Sequence, residues 1–170
     1  MKRLLVYSLI AIVFNSCGHA QHNSPSYPEH VGDISFDDKL DDTNFKVCTN
    51  ENNIPQYYNF GKGLQYTGEK IAIDKYFGEN FKNKIQKNET GFLTIRFIVN
   101  CEGKTGRFRV EGMDSHYQVK KFDKELENQI LKLTMQLDGW IAGELQGQKL
   151  DYYQYLTFKL EEGQLIEIMP

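Results

Sequence analysis

The stretch Gly91-Phe92-Leu93-Thr94-Ile95-Arg96-Phe97-Ile98-Val99-Asn100-Cys101-Glu102-Gly103-Lys104 decides the fold. Leu93, Ile95, Phe97 and Val99 alternate with Thr94 and Arg96, the period of two that a strand buried on one face requires. Residues 100–104 supply turn chemistry, with Gly103 free to take a positive φ. Residues 105–111 then return with Phe108 and Val110 inward and Arg107 and Arg109 outward. The segment reads as a β-hairpin with one apolar face, and that face needs a cover.

The cover is legible on both sides. Downstream, Asp123 is an N-cap, and Glu125 and Glu127 sit near the positive end of the helix it opens. Leu126, Ile130, Leu133 and Leu137 recur at i, i+4, i+7 and i+11, one apolar stripe, and Asp138-Gly139 is the expected stop. A Gly-rich loop around Trp140 leads to a third strand over 152–160, where Leu156, Phe158 and Leu160 alternate with Thr157 and Lys159. Residues 161–164 turn the chain into a last short strand ending near Ile168. Upstream, residues 50–53 read as a turn. Thr67 is the expected cap of a helix carrying Ile73, Tyr76 and Phe77, and Gly78 its expected end. The class is α+β, an antiparallel sheet packed by helices.

Residues 91–160 resemble the carboxyl-terminal domain of the TonB family, the energy transducers of Gram-negative envelopes. The likeness rests on the alternating strand after Gly91, on Glu102-Gly103-Lys104, and on Phe122-Asp123 where the family places Leu-Asp before its helix. Trp140-Ile141-Ala142-Gly143 is similar to the family's Trp-x-Pro-Gly, with Ala142 in place of proline. Upstream, Phe81-Lys82 stands where the family has Tyr-Pro. The resemblance implies a non-enzymatic module that pairs a sheet edge with an extended peptide of an outer-membrane transporter component. The chain departs from the family in lacking its membrane-spanning helix and long Pro-rich spacer, which puts energy transduction in doubt.

At the other end, Met1-Lys2-Arg3 precedes a mainly apolar run from Leu4 to Phe14. Eleven residues fall well short of the ~20 a bilayer-spanning helix needs. The form is that of a secretory signal peptide. Phe14-Asn15-Ser16-Cys17-Gly18 resembles the lipobox of bacterial lipoproteins, although that family prefers Leu where Phe14 stands. The likeness implies a leader over 1–16, lipidation at Cys17 and a lipid anchor in a membrane. Gly18 lacks the acidic signal of inner-membrane retention, so the implied place is the cell envelope, at the outer membrane facing the periplasm.

Residues 17–45 are polar, with Pro25 and Pro28, and read as a flexible tether to a domain over 46–170. Asp37, Asp38, Asp41 and Asp42 lack the alternate spacing and turn glycine of a calcium loop and read as a solvated acidic segment. His19 and His22 in such a tail read as incidental, and no metal site is expected. Of three cysteines, one as anchor leaves Cys48 and Cys101. In an oxidising compartment a disulfide persists, closing a loop of about 50 residues worth roughly 3–4 kcal/mol. Two buried thiols are the competing reading.

The chain of 170 residues suits one domain, and a net charge of −3 argues against nucleic acid as a partner. No catalytic residues and no cofactor are expected. Gly61-Lys62-Gly63 lacks the spacing of a phosphate loop, His116 is a lone histidine between Ser115 and Tyr117 in a loop and reads as a surface residue, and no nucleophile motif is present. The candidate partner-binding residues are Trp140, Tyr153 and Tyr155, since aromatic anchors dominate binding surfaces. Burial over the helix end is the plainer reading for Trp140. Tyr153 and Tyr155 share the face of Thr157 and Lys159, opposite Leu156 and Phe158. Two functions are therefore expected in competition. One is an anchored module engaging an envelope protein through its sheet edge. The other is a structural or cell-wall (glycan)-associated lipoprotein.

Overall fold

The structure, a computed structural model, describes residues 32–82 and 89–170. The elements in chain order are α1 (Glu69–Asn80), β1 (Gly91–Val99), β2 (Thr105–Met113), α2 (Lys124–Met135), β3 (Gly143–Leu145), β4 (Gln148–Leu150), β5 (Tyr152–Glu161) and β6 (Gln164–Met169). One antiparallel sheet runs in the order β2-β1-β5-β6, and β3 and β4 form a separate small hairpin. The fold is α+β. The expected leader over 1–16, Cys17 and the expected tether as far as residue 31 lie outside the described residues.

The β1–β2 hairpin forms where its alternation places it. The turn is closed by Asn100, whose Oδ1 accepts from the N–H groups of Glu102 and Lys104, both at 3.0 Å. Gly103 takes φ +79°, and a Cβ there would meet the Trp140 carbonyl oxygen at 2.6 Å. Leu93, Ile95, Phe97 and Val99 all enter the main core, joined by Leu156, Phe158 and Leu160 from β5. Helix α2 opens on Asp123, whose carboxylate accepts from the N–H groups of Glu125 and Leu126. Its Leu126, Ile130 and Leu133 are buried in that core, each burial stabilising by roughly 1.5–3 kcal/mol. From α1, Ile73 and Phe77 complete it.

Local expectations give way at three points. Helix α1 is preceded by Gly68 in the left-handed region rather than capped by Thr67, whose N–H instead donates to Gly139 O. The same helix runs through Gly78 to Asn80, since an exposed Gly there weakens a helix without stopping it. Helix α2 ends at Met135, so Leu137 is buried just beyond the last turn rather than on the helix. The Gly-rich loop after Trp140 folds into the β3–β4 hairpin, its turn made by Gln146 (φ +53°) and Gly147 (φ +81°).

The largest difference lies on the other face of the sheet. Residues 33–45, expected in the tether, pack on the sheet together with the first residues of the domain. Ile34, Ile54, Ile98 and Tyr153 form a second buried cluster, with Phe45 and Val47 packed against it. The chain from Asp33 onward is a strap across the outer face, and Asp41 and Phe45, expected in the solvated tail, are part of it. The strap fits because Gly106 on β2 has no side chain; a Cβ there would meet the Phe45 ring at 2.3 Å.

Candidate functional site

Two arginines at successive outward positions of β2 hold the strap. Arg107 is buried and sits at φ +56° in a bulge, where β2 slips against β1 between Arg96 and Ile98. Its guanidinium donates to both Glu51 oxygens, at 2.6 and 2.9 Å, and lies over the Phe36 ring. Arg109 donates to both Asp41 oxygens, at 2.7 and 2.8 Å, and to Ser35 O at 2.8 Å. Such two-pronged pairs fix geometry as well as charge. The Asp41 side chain is only 1% exposed. The hydrogen bond from Arg109 holds its carboxyl below the usual aspartate value, and Arg107 does the same for Glu51.

A third attachment is covalent. Cys48 and Cys101 are disulfide-bonded, as expected, across 53 residues of sequence. Beside them lies a residue that no motif or periodicity in the sequence singles out. Asp151, fully buried between β4 and β5, accepts from Cys48 N, Thr49 N and Thr49 Oγ1 through Oδ2 and from Cys101 N through Oδ1, all at 2.7–2.8 Å. The only visible signal was an acid between Leu150 and Tyr152 in a stretch otherwise reading as strand. The two sulfurs and this carboxylate lie within 4.8 Å of one another, a spacing that suits a metal. With the sulfurs bonded to each other and the carboxylate accepting four hydrogen bonds, the group serves here to join the strap to the β1–β2 turn and to β5.

The aromatic candidates are mostly enclosed. Trp140 is 5% exposed, packs edge-on against Tyr66 and Phe97, and belongs to the main core. Tyr153 does face away from Leu156, but the strap covers that face and leaves it 5% exposed. Neither can form an open platform. Tyr155 is half-buried, edge-on to Tyr57, whose phenol is pushed up to about 12, first by burial and then by the neighbouring Tyr155. His116 lies in the exposed 114–118 turn, its N–H donating to Asp114. Among the described residues no helix is long and apolar enough to cross a membrane.

What the fold leaves open are its edges. At one end β6 pairs only with the second half of β5, from Thr157 to Glu161, and Ile166 is extruded where the register slips. Bulges and charges on an edge oppose pairing by another strand, and β6 carries both, with Glu167 opposite Lys159. At the other end, β2 borders a groove of about 1110 Å³. Its walls are the strap around Phe36 and Leu40 and helix α2 at Lys124 and Leu131; its floor is β2 from Phe108 to Glu111. A second cavity of about 630 Å³ adjoins it, sharing Val110, Glu111 and Lys124. Comparison of the chain with protein-family models, curated proteins and solved structures finds no match.

Proposed function

We propose that the chain is a lipid-anchored protein of the cell envelope whose TonB-carboxyl-terminal-like module binds an extended segment of an envelope protein by pairing with a sheet edge, with an outer-membrane transporter component as the partner in view. The observation that carries this reading is a sheet whose two outermost strands, β2 and β6, have no further strand beside them among the described residues. With the small β3–β4 hairpin set aside as a separate sheet, the order β1-β2-α2-β5 supports the family likeness. The lipobox-like Phe14 to Gly18 supports the anchor. Burial of Trp140 and Tyr153 weighs against the glycan-associated reading, which needs them at the surface.

The test is site-specific photocrosslinking of the full chain in intact envelopes, with the crosslinker at Glu111 on β2 or at Ile166 on β6. A discrete adduct with one envelope protein, weakened when Cys17→Ala removes the acylated residue, is the expected outcome. Adducts with no envelope protein from either edge, together with enrichment on purified cell-wall sacculi, would overturn the proposal in favour of the glycan-associated reading.

A further inference from the structure

The two edges are not equivalent, and their backbone groups show which one is open. Lys120 N donates to Gly112 O at 2.9 Å, and Met113 bridges to Val119, so the outward side of β2 is already paired at its far end. Phe108 O accepts from Arg109 Nη1 at 2.9 Å, which closes the near end. The register from Leu93↔Gly112 to Ile95↔Val110 is regular, so Val110 points its N–H and C=O the same way as Gly112, away from β1. Neither group of Val110 has a partner among the described residues. They face the groove, half-buried, between two closed neighbours.

We infer that this groove is where the partner binds, and that its occupant is a short, uncharged extended peptide segment with an apolar residue opposite Val110. The inference rests on the edge-pairing function proposed above and names its site and ligand chemistry. A residue facing Val110 exchanges both of its backbone hydrogen bonds with it, which is the antiparallel close pair. Its side chain then lies on the same sheet face as Val110 and Phe108, against Leu131 of α2. The flanking residues of the segment turn their side chains to the other face, where Phe36 and Leu40 stand 45% and 69% exposed on the strap.

Charge sets the rest of the specification. Four acidic and four basic side chains line the groove. The two arginines nearest its floor are neutralised at close range, Arg96 by Glu111 at 2.6 Å and Arg109 by Asp41 at 2.7 Å. A charged segment would meet no unpaired counter-charge on that floor and would lose hydration on entering, so an uncharged one is favoured. The groove's volume of about 1110 Å³ lies just above the range of ordinary ligand sites, roughly 300–1,000 Å³, room for a few residues rather than a long strand.

The probe is the capped peptide acetyl-Thr-Val-Thr-Leu-Thr-Val-Thr-amide, titrated into the ¹⁵N-labelled, disulfide-bonded mature chain. The largest amide shifts are expected at Val110 and its neighbours, with exchange of the Val110 amide slowed about tenfold, the factor associated with one gained backbone hydrogen bond. Val110→Pro removes the donor at a position whose N–H is not used by β1, and Leu131→Glu spoils the apolar wall without touching the sheet. Each is expected to weaken binding about tenfold or more, whereas Ile166→Pro on β6 leaves it unchanged. The same peptide N-methylated at its central Leu should not bind. Shifts centred on β6 would overturn the assignment to β2 while leaving edge pairing intact. Equal binding of a peptide with Thr replaced by Glu or Lys would overturn the charge specification. No binding at either edge at millimolar peptide would count against both the assignment and the proposed function.

Discussion

Asp151→Ala is the substitution whose effect follows most directly from the geometry. The carboxylate is fully buried and accepts four hydrogen bonds at 2.7–2.8 Å, three from backbone N–H groups and one from the Thr49 hydroxyl. Bonds to a charged acceptor contribute about 1.5–3 kcal/mol each, and a buried donor left unpaired loses about 1–3 kcal/mol. Four such bonds would sum higher than any single site delivers. Cys48 is exposed and Cys101 and Thr49 are half-buried, so water replaces part of what is lost. A net loss of about 3–5 kcal/mol is expected, a large share of the ~5–15 kcal/mol that holds a domain together. Thr49→Val removes one of the four bonds and should lose about 1 kcal/mol. The assay is urea unfolding with the disulfide intact, read as a shift in midpoint at constant slope. A loss under about 1 kcal/mol for Asp151→Ala, with the slope unchanged, would refute the view that this carboxylate joins the strap, the β1–β2 turn and β5.

Two further outcomes test the strap itself. Gly106→Ala places a Cβ 2.3 Å from the Phe45 ring, and because the backbone there is ordinary the whole effect is steric. It should lose about 1–3 kcal/mol and speed tryptic cleavage at Lys39 and Lys46, measured by limited proteolysis; unchanged cleavage rates would mean that Phe45 does not seat the strap. The clamps also predict a pH dependence. Asp41 and Glu51 are held below their ordinary values of 3.8 and 4.5 in the folded chain, by Arg109 and Arg107 respectively. Their stabilisation is therefore complete above that range and is lost as pH falls through the folded values. Asp41→Asn should flatten the decline in stability between about pH 5 and pH 2, seen in denaturation at a series of pH values.

The fold was readable where local signals and long-range packing agree. The alternation of Leu93, Ile95, Phe97 and Val99 and the cap at Asp123 are contained within a few residues, and both are realised. The β3–β4 hairpin escaped because its strands have three residues each and its turn is Gln146-Gly147 rather than the Asn-Gly or Asp-Gly that announces two positive φ angles. The strap escaped for a different reason. Ile34 and Phe36, and Phe45 and Val47, are two apart, but neither pair extends into a run, and what fixes the segment lies more than 50 residues away, on Arg107, Arg109 and Cys101. A run of aspartates looks solvated until its arginine is placed. Alternation places Tyr153 on the face opposite Leu156, but its exposure depends on whether another segment covers that face, and the strap does.

The strap and the groove are coupled, because Phe36 and Leu40 form one wall of the groove and Arg109 holds that wall. Through one guanidinium, Arg109 holds Asp41 and Ser35 O and also occupies Phe108 O, the backbone acceptor next to Val110 along the open edge. Arg109→Gln keeps length and polarity but cannot span these partners. Two opposing effects follow for the uncharged peptide. Release of Phe108 O would lengthen the open edge and favour pairing by about 0.5–1.5 kcal/mol. Loss of the wall would remove the apolar contacts of Phe36 and Leu40, worth roughly 1.5–3 kcal/mol for each side chain fully covered. The second effect is larger even if each residue is covered only by half, so Arg109→Gln should weaken binding several-fold. The Asp41 carboxylate, 1% exposed at present, would also lose its counter-charge, so the strap should become sensitive to protease at Lys39. Isothermal titration of the peptide and limited proteolysis of the same variant separate the terms. Tighter binding with a loosened strap would show that edge length, rather than the apolar wall, governs recognition in the groove.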